Sequence, residues 1–87
     1  MSFHLDFSQQ AINDIDSHKK SGNKAILKKM LQLFEELAEH PFTGTGKPEA
    51  LKHSLSGAWS RRINREHRIV YEISSDIVYI LSTKDRY

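Results

Sequence analysis

From Asn23 to His40 the chain contains neither Gly nor Pro, and Ile26, Leu27, Met30, Leu31, Phe34, Leu37 and Ala38 fall in a wide i, i+3, i+4, i+7 stripe. A stripe of that width makes one apolar face of a helix and requires a second layer to cover it. Asn23 can cap the helix, and His40 ends it because the residue before Pro41 is pushed out of the helical region. Met30 and Phe34 belong to this stripe and read as core, not as a ligand box.

The covering layer is legible on either side. Phe3, Leu5 and Phe7 alternate with His4 and Asp6, the period-two pattern of a strand with one buried face. Ser8 can then cap a first helix over Ser8 to Ser21, with Ala11, Ile12 and Ile15 at helical spacing, Lys19 and Lys20 in the last turn and Gly22 as a left-handed stop. Pro41 to Glu49 is rich in Gly and Pro and reads as a loop. Beyond it, Leu51 to Leu55 and Trp59 to Asn64 read as short strands, and Arg68 to Ser74 and Ile77 to Thr83 as two β-branched strands turning around Ser75 and Asp76. Short connections imply antiparallel neighbours.

The expected fold is therefore α+β, in the order β-α-α-β-β-β-β, with two N-terminal helices on one face of a twisted antiparallel sheet. The 87 residues suffice for one small core, so residues 1–87 are expected to form a single domain. On the strand from Arg68, the residues Ile69, Tyr71 and Ile73 should point to one face and Arg68, Val70 and Glu72 to the other.

The chain has no cysteine, which excludes a disulfide framework and a thiolate zinc site, and no HExxH-type spacing, which argues against a metal; no cofactor is expected. The N-terminus lacks an apolar signal core and the apolar helix is interrupted by charge, so no membrane association and a cytoplasmic location are expected. Charge is unevenly spread. From residue 44 onward eight Lys and Arg face five Asp and Glu, whereas residues 1–43 carry five against six, within a formal net charge of +2. Lys47, Lys52, Arg61, Arg62, Arg65 and Arg68 gather around Glu49 and Glu66, a pattern that suits either a phosphate-bearing partner or plain solubility.

Metal-free RNA cleavage needs a base for the ribose 2′-OH, cations for the phosphate and an acid for the departing 5′-oxygen. Glu49 can be that base, and Arg68 can grip two phosphate oxygens at once, which lysine cannot. Lys52 and Arg62 can hold neighbouring phosphates, and Tyr87 offers a ring for stacking or a hydroxyl for positioning. On spacing alone, Glu49 is equally a solvated loop residue paired with Lys47 or Lys52, and Arg68 a strand ion-pair partner near Glu72. The GTGK at Gly44 to Lys47 lacks the full GxxxxGK[ST] pattern and is followed by Pro48, so it does not read as a nucleotide-binding loop.

The stretch GTGKPEALKHSLSGAWSRRINREHRIVYEI, Gly44 to Ile73, closely resembles the signature of the YoeB (Txe) toxins, in which a GKPE loop is followed by LKH, LSG, WSRRI and EHRxVY. The resemblance implies a RelE-like fold and the toxin half of a type II toxin–antitoxin pair. Such toxins enter the ribosomal A site, commonly as dimers, and cut the mRNA there until a YefM-type antitoxin silences them. By that similarity Glu49 is the general base, Arg68 stabilises the transition state, and Lys52, His53 and Arg62 contact RNA or phosphate. The family finishes with His-Tyr, where this chain has Arg86 and Tyr87. Tyr87 matches. Arg86 replaces the expected acid with a side chain that releases its proton poorly but can still neutralise a leaving group. A non-catalytic protein that binds the ribosome, gyrase or only its antitoxin is the competing reading, since ParE-like gyrase inhibitors share the fold.

The other histidines have structural readings: His4, His18 and His40 lie near element ends and are expected to be solvated, and His67 to cap or pack. Trp59 reads as a core or interface anchor before a base-stacking residue.

Overall fold

A computed structural model describes residues 3–44, 46, 48–50 and 57–84. Its elements are β1 (His4–Phe7), α1 (Gln9–Ser21), α2 (Lys24–Glu39), β2 (Glu49–Ala50), β3 (Trp59–Arg62), β4 (Arg68–Ser74) and β5 (Ile77–Ser82). The five strands form one sheet in the order β1-β5-β4-β3-β2.

Both helices begin and end on the residues whose chemistry suits those positions. The Ser8 hydroxyl accepts from the backbone N–H of Ala11 and donates to the carbonyl of Leu81, so a single side chain caps α1 and ties it to β5. Gly22 closes α1 at φ 72°, and Asn23 caps α2 by accepting from the Ile26 N–H. The apolar stripe of α2 supplies Ile26, Met30, Leu33, Phe34 and Leu37 to a core completed by Ala11, Ile63, Ile69, Tyr71, Val78 and Ile80. Leu31, expected on that stripe, is 60% exposed, because it sits at the margin of a face only five core positions wide.

Two expectations need correction. The sheet is mixed: β2, β3, β4 and β5 are antiparallel neighbours, but β1 runs parallel to β5, with His4 opposite Ile77 and Phe7 opposite Ile80. The reason is topological. Both helices intervene between β1 and the rest, so no hairpin sets β1 against β5. The chain enters β2 opposite in direction to β1, and three successive reversals, β2 to β3 to β4 to β5, leave β5 parallel to it. Second, the segment ending at Glu49 is not loop to its end, since Glu49 and Ala50 pair with Ser60 and Trp59. The strand expected over residues 51–55 lies outside the described residues.

Candidate active site

Strand β3 is the element on which the site is built, because its alternation sends its four residues to two different environments. Trp59 packs against the core under the helices, in edge-on contact with Phe42, and Arg61 follows it inward. Ser60 and Arg62 belong to the opposite face. Arg61 was expected in the basic surface, yet it has no exposed area at all. Its guanidinium donates to the carbonyls of His40 and Thr43 and to the Tyr71 hydroxyl, and it lies 3.5 Å from a carboxylate oxygen of Glu36. Tyr71 in turn donates to the Pro41 carbonyl. Burial raises the Tyr71 pKa above its ordinary value, and the hydrogen bond and charge of Arg61 oppose that rise. Arg61 is thus the buried post to which the loop after α2 is tied, unavailable to phosphate. The sequence does carry a signal for this: Trp59, Arg61 and Ile63 share one parity, so an inward arginine was implied by its neighbours.

The loop beyond this post is held at backbone level. Gly46 accepts from the Arg62 N–H at 2.8 Å, and a Cβ on Gly46 would stand 2.8 Å from the Arg62 carbonyl oxygen. Only glycine can come this near β3 at φ +86°. The contact sets the loop alongside β3 just before Glu49 joins the sheet.

On the face away from the helices, Glu49 on β2 is directly opposite Ser60 on β3, and Ser60 is directly opposite Val70 on β4. Arg68, two residues along β4, shares that face and donates from Nη1 to the Ser60 hydroxyl at 3.3 Å. Glu49 is exposed, Arg68 half-buried and Ser60 fully buried. Two strand spacings, about 10 Å, separate the lines of Glu49 and Arg68, room for a ribose and its phosphate between the two side chains. Arg62 is exposed and pairs directly with Arg68 across β3 and β4. Like charges placed so are mutually destabilising, and a bound anion would relieve that. Among the described residues neither arginine forms an ion pair, so the alternative of Arg68 as a partner of the Glu72 region is not what the sheet displays.

Lys52, His53, Arg86 and Tyr87 lie outside the described residues. The approach to the last two is described, however, and it overturns the reading of His18 as solvated. His18 is 3% exposed; its Nε2 is 2.8 Å from the Thr83 carbonyl oxygen and its ring lies edge-on to His67. Asp14, also buried, accepts from the Thr83 N–H at 3.0 Å. One face of α1 therefore grips the end of β5. A polar residue at helical spacing gives no sign of this in sequence, because its partner is 65 positions away. Among the described residues no cluster of three or more histidines or carboxylates could hold a metal ion, and no helix is long and apolar enough to cross a membrane.

This fold has counterparts. The family model described as YoeB-like toxin of bacterial type II toxin–antitoxin system matches residues 7–87. Toxin YoeB of Escherichia coli (strain K12) is 48% identical over 65 residues, covering 75% of this chain and 77% of the relative. Among solved structures, a YoeB/ParE toxin from Agrobacterium tumefaciens superposes with a TM-score of 0.89 at 30% identity, covering 97% of this chain and 99% of that one. A YoeB dimer from Staphylococcus aureus does so with a TM-score of 0.85 at 36% identity over the whole of both chains, and a YoeB-YefM complex from the same organism with 0.81 at 38%, again over the whole of both. Two helices on one face of a five-stranded mixed sheet are the architecture of the RelE-like toxins. Within that class, the chain belongs to the YoeB family, toxins of type II toxin–antitoxin systems.

Proposed function

We propose that this toxin is a ribosome-dependent mRNA endoribonuclease that stops translation, working without a metal as a single domain over residues 1–87. The observation that carries the proposal is the placing of Glu49 and Arg68 on one sheet face, on either side of Ser60. Glu49 takes the proton of a ribose 2′-OH, and the freed oxygen attacks the adjacent phosphorus. Arg68 meets the charge that builds on the non-bridging oxygens, aided by Arg62 and by Lys52. The bond from phosphorus to the 5′-oxygen breaks, leaving a 2′,3′-cyclic phosphate, and the departing oxygen collects a proton from an acid. Arg86 stands where the family carries a histidine, so its part is to neutralise charge on the leaving oxygen, not to donate readily, while Tyr87 positions a base and His53 contacts the RNA.

The ribosomal A site supplies the mRNA in the geometry that so small a face cannot impose alone. A YefM-type antitoxin is the expected silencing partner and a homodimer the expected assembly, by similarity to the Staphylococcus aureus proteins. With no membrane segment in the proposal, the place of action is the cytoplasm, where translation occurs.

The test is primer extension on mRNA under translation, with the wild-type chain and with Glu49→Gln, which keeps the shape and removes the base. Cleavage by the wild type, lost in the variant, is the expected result. Translation arrest with intact mRNA would favour a non-catalytic binder of the ribosome, and unimpaired translation would end the toxin mechanism proposed.

A further inference from the structure

We infer that Ser60 is a positioning residue for the cleavage reaction, the fixed acceptor that aims the Arg68 guanidinium across the sheet toward Glu49. This rests on the reading of Arg68 as the phosphate clamp.

Ser60 has no exposed surface, although it lies in the row between an exposed Glu49 and a half-buried Arg68. Its hydroxyl accepts from Nη1 of Arg68 at 3.3 Å. A guanidinium has five N–H donors, and a bond at Nη1 leaves the side edge of Nε and Nη2 intact, the edge that makes a forked contact to two phosphate oxygens. The anchor therefore holds the arginine without occupying its working side. It also holds it without neutralising it: a carboxylate at the same place would cancel the charge that the phosphate needs, and a serine does not. Arg62, directly opposite Arg68, would otherwise push the second guanidinium away from the row. An arginine loses much side-chain freedom when it is held in one place, so an anchor present before substrate arrives removes that cost from the reaction.

Single-turnover cleavage on programmed ribosomes tests this with the full chain, at ribosome concentrations that saturate binding. Ser60→Ala should slow the chemical step roughly tenfold, the loss typical of a hydrogen bond to a charged group, with ribosome affinity unchanged. In an Arg68→Ala background the same change should have less than about a twofold further effect, because nothing remains to aim. A tenfold loss that persists there makes Ser60 merely structural, and one that vanishes only in a Glu49→Gln background means it acts through the base; either outcome overturns the inference, as does a Ser60→Ala chain that cleaves at the wild-type rate. A wild-type chain that cleaves no mRNA defeats the nuclease reading. The anchor is then still read by NMR of the Arg68 side chain, whose Nε–Cζ rotation should be slow in the wild type and fast in Ser60→Ala; equal rotation in both overturns it independently.

Discussion

The Arg61 guanidinium of β3, fully buried, stands 3.5 Å from the Glu36 carboxylate of α2, whose side chain is 24% exposed. The pair joins β3 to the helix, and Arg61 also holds the loop that precedes Glu49. Removing one partner of a buried pair leaves the other with its desolvation uncompensated. Arg61→Met should destabilise the fold by about 3 kcal/mol, lowering Tm by on the order of 15 °C. Glu36→Gln keeps an acceptor oxygen and should lose less. Denaturant melts of both variants are the measurement, and an Arg61→Met loss below about 1 kcal/mol would remove Arg61 from the role of post.

Tyr71 predicts the alkaline limit of stability. Its pKa is raised above the ordinary 10.0, chiefly by burial. Between the two values the unfolded tyrosine has lost its proton while Tyr71 retains it, so unfolding releases a proton and becomes easier as pH rises. The contribution is complete below about pH 10 and is lost as pH climbs through the folded value, at a limiting slope of about 1.4 kcal/mol per unit. Tyr71→Phe should be less stable at pH 7, since the Pro41 carbonyl and Arg61 lose a partner, but should show a flatter decline above pH 10. Parallel slopes for the two proteins would contradict this.

Gly46 and Gly22 separate crowding from backbone strain. Both have positive φ, but a Cβ on Gly22 meets nothing within 4 Å, whereas one on Gly46 meets the Arg62 carbonyl at 2.8 Å. Gly22→Ala should cost about 1 kcal/mol, the left-handed penalty alone. Gly46→Ala should cost more and also slow cleavage, because the loop must leave β3 and take Glu49 with it. Equal effects on stability and none on cleavage would mean that the close approach does not position Glu49.

Arg68→Lys keeps the charge and abandons the fork. Single-turnover cleavage should fall by roughly a few hundredfold, corresponding to about 3 to 4 kcal/mol of transition-state stabilisation. A loss under about threefold would assign Arg68 a structural part.

Arg86→His restores the residue of the family pattern. If Arg86 acts by charge and the proton comes from elsewhere, the change should be neutral or harmful at pH 7. A tenfold gain in single-turnover rate, with activity falling above a pKa of about 6.5, would show instead that this position is the acid.

How far each of these features was legible depended on the range of the interaction that produces it. The caps at Ser8 and Asn23, the stop at Gly22 and the β4–β5 turn follow from residues within a few positions of one another, and the structure has each where the sequence puts it; the core stripe of α2 follows too, except that Leu33 is buried in place of Leu31. The family was legible as well, because its motif runs nearly unbroken from Gly44 to Ile73. Tertiary structure alone decided the rest. That β1 lies parallel to β5 depends on where two helices return the chain, and that Glu49 is a strand residue depends on a pairing with Ser60 eleven positions on. The same holds for charge: Arg61 and Arg62 are adjacent and chemically identical, yet the strand's alternation buries one against Glu36 and exposes the other beside Arg68. Composition counts both as cations, and only the sheet determines that Arg61 braces the loop while Arg62 remains on the face of Glu49.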